Sequence, residues 1–258
     1  MRVVLHLVIA ALSISIVTQL SAQGFDGGVT ETLQSIYIPP LVGAPFSATV
    51  HTEWVREIPG GGTYTAVNQR RVARDGRGRI YEERWLLVPK DSGVESKMNV
   101  VQIADPNQHT LYNCWVEQRR CMLLRFTEPA MTSYEPGVIP TGPLANNKGF
   151  TNHLDLGIRT IAGLDTHGTR DTTTLLPGTV GNDRPFVTVR EFWTAPQLGV
   201  NLLSIVDGPR TGKQTFTLSD VSLNEPDPQL FELPEGYQVV DRRQEPAQQG
   251  HASDQDRR

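Results

Sequence analysis

From Phe46 onward the chain alternates apolar and polar residues in short runs, and glycine, proline, asparagine and aspartate cut each run off. Phe46, Ala48, Val50, Thr52 and Trp54 point one way, and Ser47, Thr49, His51 and Glu53 the other. A period of two belongs to a strand with unlike faces, not to a helix. Pro59-Gly60-Gly61-Gly62 turns this first run into Thr63–Arg74, and Asp75-Gly76-Arg77-Gly78 turns that one into a run from Arg79 to Val88. Such dipeptides supply the positive φ angles that hairpins need. Further strands are expected at Met98–Ile103, Asp155–Ile161, Thr166–Leu176, Phe186–Thr194, Val200–Val206 and from Lys213 onward. Turns are expected at Asp105-Pro106-Asn107-Gln108, Gly163-Leu164-Asp165 and Gly208–Gly212. Short turns between consecutive strands imply antiparallel pairing. The expected fold is all-β with few helices, a single antiparallel sheet over residues 45–241.

The ends read differently. Arg2, an apolar stretch from Val3 to about Val17, and Ser21-Ala22-Gln23 have the form of a secretory leader over residues 1–22. The stretch is shorter than the 18 or so apolar residues of a spanning helix, and no later segment is apolar enough to cross a bilayer. The protein is therefore expected to be exported, with the periplasm favoured over the extracellular space. Residues 23–44 are irregular, with one short candidate helix or strand at Glu31–Ile38. The tail, residues 242–258, has no aliphatic side chain larger than alanine and is expected to be disordered. A formal net charge of −4 argues against nucleic acid, which requires a clustered basic face.

The only two cysteines, Cys114 and Cys121, fall in HTLYNCWVEQRRCMLL. Folding this as a hairpin about Glu117-Gln118 sets 114 opposite 121. A disulfide is the natural outcome in an oxidising compartment; a metal or two free thiols remain open. Glu128–Phe150, with prolines at 129, 136, 140 and 143, is an irregular segment that could cover one face of the sheet.

The chemistry-bearing residues form no catalytic set. Glu82 and Glu83 adjoin in a strand and so point to opposite faces, which removes them as an acid–base pair. His153 with Asp155, and Asp165 with His167, have spacing two and could hold a metal if their segments pair; the alternative is polar positions flanking a turn. Gly208–Thr215, GPRTGKQT, is one residue short of a phosphate loop and carries Gln214 where a hydroxyl would hold magnesium; a hairpin turn accounts for it. Arg70-Arg71, Arg119-Arg120 and Arg125 read as solvated strand-face charges. None of this implies a cofactor. Trp54, Trp85, Trp115 and Trp193 all lie in expected strands. If the sheet curls, they would line an apolar concave face able to hold an acyl chain or apolar peptide; otherwise they are core.

The segments RDGRGR, GNDRP, EFWTAP and EPDPQLFELPEGY are the most specific in the chain. Together with the runs between them, about Pro45 to Asp241, they resemble a group of exported proteins abundant in acidobacteria and related soil bacteria, a resemblance that implies no activity. More distantly, the ending is similar to that of the periplasmic lipoprotein-carrier fold. That likeness implies an open half-barrel whose concave face takes acyl chains under lid helices. The chain departs from it in showing no lid helix beyond the candidate at Glu31–Ile38, and no ligand residue carries over. The reading that results is a non-enzymatic carrier-like or binding module for an apolar ligand such as a lipid or acyl chain. The alternative is an envelope scaffold that binds a protein partner by a sheet edge or by the loop 128–150.

Overall fold

The computed structural model describes residues 36–244. The leader, residues 31–35 of the candidate element at Glu31–Ile38, and the tail from 245 on lie outside the described residues. In chain order the strands are β1 (Phe46–Glu57), β2 (Thr63–Arg74), β3 (Ile80–Trp85), β4 (Val88–Pro89), β5 (Met98–Asp105), β6 (Thr110–Trp115), β7 (Arg120–Arg125), β8 (Gly142–Pro143), β9 (Gly149–Ile161), β10 (Leu164–Leu175), β11 (Phe186–Ala195), β12 (Val200–Gly208), β13 (Gly212–Ser222) and β14 (Gln238–Asp241). They form one open sheet in the order β14-β7-β6-β5-β3-β2-β1-β13-β12-β11-β10-β9-β8, with β4 beside β2. Two antiparallel meanders therefore meet at the β1–β13 seam. The edges are β8, two residues long, and β14, four. Short edge strands leave little ladder for another chain to pair with.

Between irregularities at Ser47–Thr49, Arg84–Trp85, Gly168–Thr169 and Trp193–Thr194, the register keeps one alternation from strand to strand. On the face of Phe46, Ala48 and Val50 lie Val72, Ile80, Ala104, Leu202, Phe216 and Leu218, and these form the main core with Ile36, Ile38, Leu198 and Val200. Arg74 of β2 reaches the Leu198 carbonyl, in the turn between β11 and β12, at 2.8 Å. On a flat sheet β12 would be three ladder steps, or about 14 Å, from β2, more than one side chain spans. The sheet and that turn thus curl over the Phe46 face, which is the concave one.

The other face has a smaller core of Ala73, Tyr81, Val101, Ile103, Cys114 and Cys121, closed by Phe231. Around β5 both faces are covered, and VVQIA there has Val100, Val101, Ile103 and Ala104 all buried. A strand buried on both sides loses its alternation and becomes a run of apolar residues. Cys114 pairs with Cys121 in the β6–β7 ladder and the two form a disulfide, as the hairpin register requires.

Several expectations need correction. β9 starts at Gly149, not Asp155, because the polar FTNHL stretch pairs with β10 along its whole length. The turn after it is Ala162-Gly163, both with positive φ, so Leu164 and Asp165 are already strand. The apolar run Leu230-Phe231-Glu232-Leu233, which reads as a short return after Pro226-Asp227-Pro228, forms no strand. Asp227 caps a short 3-10 turn, Pro228–Phe231, through the Gln229 amide, and this drops Phe231 onto the convex core. The chain then adds β14 to β7 in parallel, the one parallel ladder between named strands in the described sheet. Arg70 is no solvated charge either: it is buried against Glu82 at 3.4 Å. Burial raises the carboxyl of Glu82 and the two arginines beside it, Arg70 and Arg84, oppose that.

Candidate functional site

Glu82 and Glu83 take opposite faces, as adjacent strand residues must. Glu83, on the convex face, accepts the Tyr81 hydroxyl at 2.9 Å, the Trp85 indole N–H at 2.8 Å and the Arg71 amide at 3.0 Å. A carboxylate so filled by its own neighbours is a structural bracket. It stands in a groove of about 790 Å³ between the convex side of β1, β2, β3 and β13 and the segment from Val88 to Ser96. Lys90 ties that segment to Glu53 at 3.3 Å.

On the same face His51 Nε2 lies 2.7 Å from Ser219 Oγ, a serine–histidine contact that nothing in the sequence spacing announced. The nearby carboxylate, Asp220, meets Ser219 at 2.9 Å and does not orient the imidazole. A nucleophile is activated when the acid steadies the base; here the serine hydroxyl donates to Asp220, which leaves His51 Nε2 to donate to its oxygen and not to take its proton. The contact is a rim hydrogen bond.

The second cavity, about 550 Å³, lies on the concave face between β9–β11 and the segment from Tyr134 to Ile139. Its roof is fixed at its start. Leu41 and Met131 form a parallel bridge, with Met131 N–H donating to Pro40 O at 2.9 Å and Val42 N–H to Met131 O at 2.8 Å. The Tyr37 hydroxyl donates to Glu128 at 2.5 Å, and burial together with that carboxylate raises its pKa. Tyr134 packs beside Tyr37 and against Gly199, where a β-carbon would come within 2.9 Å of the Tyr134 ring. Past Tyr134 the roof turns outward: Val138 is 70% exposed and Ile139 36%. Pro136, Gly137 and Pro140 keep it out of any ladder.

Part of the floor is one sheet row: Arg190, Asp171 and His153 are successive cross-strand partners, and the row runs on beyond the cavity through Val206, Gln214 and Trp54. His153 Nδ1 contacts Asp171 at 2.6 Å, and one turn of the ladder away His167 Nε2 contacts Asp155 at 2.9 Å. The Gly157 amide holds the Asp155 carboxyl below its usual range. The segments holding the two histidine–aspartate pairs do pair as β9 and β10, but the partners are exchanged relative to the sequence spacing, and Asp165 instead accepts from Thr160. Among the described residues no three metal-ligating side chains converge. Phe192 and Thr169 complete the floor. Arg190 sits half-buried in it with its Nε shielded from solvent and without a hydrogen-bond partner.

The four tryptophans do not share a face. Trp54 and Trp115 are on the concave side, Trp85 and Trp193 on the convex side. Trp54 donates to Thr211 O at 2.6 Å under Arg56. Trp193 is buried between Gly168 and Arg159, whose guanidinium is 3.8 Å from the ring centre. Trp85 lines the convex groove, and none of the four lines the concave cavity.

No protein-family model matches the chain, and no curated protein matches it in sequence. The distant likeness expected from the ending of the chain is found among solved structures. MucB is 12% identical with a TM-score of 0.36, over 76% of this chain and 60% of its own, so the chain spans less than two thirds of that protein. The Mycobacterium tuberculosis lipoprotein LppX is 13% identical with a TM-score of 0.30, over 75% and 90%. A LolA superfamily protein from Nitrosomonas europaea is 10% identical with a TM-score of 0.30, over 74% and 90%.

Proposed function

We propose that this protein is an exported, non-catalytic binding module that holds an apolar ligand, such as a lipid or acyl chain, in the cavity between β9–β11 and the segment from Tyr134 to Ile139. The observation that carries this is the cavity itself. Its size is that of a small-molecule site, and its wall joins apolar groups of the roof to Phe192 of the floor. The roof is anchored at Met131 and Tyr134 and then presents Val138 and Ile139 to solvent, which is costly unless something apolar covers them. The leader and the disulfide support export. The carboxylates near histidine or serine are already engaged by partners that do not arrange an acid and base around a shared reacting atom, which supports binding over catalysis. The tryptophans are left out of the proposed site because they divide between the faces.

The test is fluorescence of the neutral probe N-phenyl-1-naphthylamine on the full chain, with mass spectrometry of solvent extracts of the purified protein. Saturable binding near one probe per chain, weakened several-fold by Val138→Asp or Ile139→Asp, is the expected result. A flat titration with no extracted lipid overturns the proposal. The same exposed roof supports a second reading, a protein partner gripped by Val138 and Ile139. Capture of an envelope protein that Val138→Asp abolishes, with no lipid present, would favour that reading.

A further inference from the structure

We infer that the ligand of the concave cavity is an amphiphile with an anionic head, a phosphate or carboxylate seated on Arg190; this rests on the binding reading above and names its ligand class. Arg190 projects from β11 to the same side as Phe192, so charge and apolar surface are neighbours on one floor. Its cross-strand partners are Val206 on one side and Asp171 on the other. Asp171 is the obvious counter-ion, but its carboxylate is directed to His153 at 2.6 Å, and Arg190 makes no ion pair within 4 Å among the described residues. The guanidinium Nε is shielded from solvent and has no acceptor.

A guanidinium is always charged near neutral pH and carries donors but no acceptors, so a half-buried one demands an oxygen anion. In a partly desolvated site that attraction is stronger than in water. The planar fork suits phosphate and carboxylate equally, since each offers two oxygens to parallel N–H groups. The apolar remainder of such a ligand would lie along Phe192 and under Val138 and Ile139. His153 and His167 stand beside the head, the carboxylates of Asp171 and Asp155 directed to them. Glu135 of the roof is the remaining acid of the lining, and Arg190 is the one arginine or lysine in it.

Three ligands with the same twelve-carbon chain test this by isothermal titration calorimetry below their micelle concentrations: dodecanoate, dodecyl phosphate and dodecanol. The expected result is that at least one anion binds about tenfold or more tightly than the alcohol, the scale of one charge-assisted contact. Arg190→Met should erase that margin and leave the alcohol unchanged, while Arg190→Lys keeps part of it, with circular dichroism confirming that each variant folds. A margin for phosphate alone supports a phospholipid-type head, and one for carboxylate alone a free fatty acid. Equal affinity for all three in the wild type overturns the inference and leaves the binding reading intact. No binding by any of the three removes both.

Discussion

Replacing Arg74 by methionine should destabilise the fold by an amount the structure allows to be worked out. Arg74 is fully buried, and its guanidinium donates to Ala44 O from Nε at 3.0 Å and from Nη2 at 2.7 Å, to Pro39 O at 2.8 Å and to Leu198 O at 2.8 Å. Burial lowers its pKa to about 10, so it stays charged at neutral pH, with carbonyl dipoles in place of a carboxylate. Methionine is close in size but removes every donor and the guanidinium that lies over the Phe46 ring. Pro39 O retains the Leu41 amide; Ala44 O and Leu198 O lose their arginine donors, at about 1–3 kcal/mol each. Relief of the buried charge offsets part of this, which leaves a net loss of about 2–3 kcal/mol. For a domain of this size that is a fall in Tm of about 5–10 °C. Urea melts followed by circular dichroism measure it, and hydrogen exchange at the Val42 amide should quicken, because Arg74 ties residues 39–44 to the sheet. Arg74→Lys, with a single point of donation, should fall between the two. If Arg74→Met matches or exceeds wild-type stability, the desolvation cost outweighs the bonds and the reasoning fails.

Three further outcomes can be checked on the same protein. A β-carbon at Gly168 would lie 2.6–2.7 Å from the Trp193 ring, so Gly168→Ala should cost about 1–3 kcal/mol by overpacking and change tryptophan fluorescence; an unaltered melt would mean the ring moves freely. Converting Cys114 and Cys121 together to alanine should lower stability by about 2–3 kcal/mol on the chain-entropy estimate, and reductant should shift the wild-type melt but not that of the variant. Burial opposes charge on Glu191, but the Trp193 indole and Arg170 more than offset it and its pKa is lowered. Its contribution is therefore complete above its unfolded pKa, about 4.3, and lost as pH falls through the lower folded value. Glu191→Gln should be less stable than wild type at pH 7 and converge with it toward pH 3; a gap that persists in acid would place the effect in packing.

Much of the fold could be read from turn chemistry. Pro59–Gly62, Asp75–Gly78 and the Cys114–Cys121 hairpin each fix a register locally, and a strand face follows from its register. What escaped lay in two kinds of place. Gly149–Leu154, GFTNHL, is strand although its apolar side chains, Phe150 and Leu154, stand exposed while Thr151 and His153 take the other side, so they mark no core face. Charge misled in the same way: Arg70 reads as a solvated strand position, yet it is buried against Glu82, and Arg74, which drew no reading, is buried because backbone carbonyls converge on it from segments that sequence distance does not connect. The tryptophans could not be assigned a common face, since Trp54 and Trp193 lie on different meanders whose relative phase is set only at the β1–β13 seam. Arg190 was legible as a strand residue; its lack of a partner was not, because that depends on where His153 directs Asp171.

The seam has a further consequence, for the order in which the sheet is assembled. Every other antiparallel ladder in the described sheet joins strands near in sequence, while β1 and β13 pair residues such as His51 and Thr217, 166 positions apart. Closing so long a loop costs entropy before any contact repays it. The two meanders can zip from their own hairpins first, and β1 then receives β13 as a preformed edge. Until that happens both halves expose an unpaired strand and half of the Phe46 core. The seam is then the slow, aggregation-exposed step of folding, and the curl of the concave face is completed only when it closes.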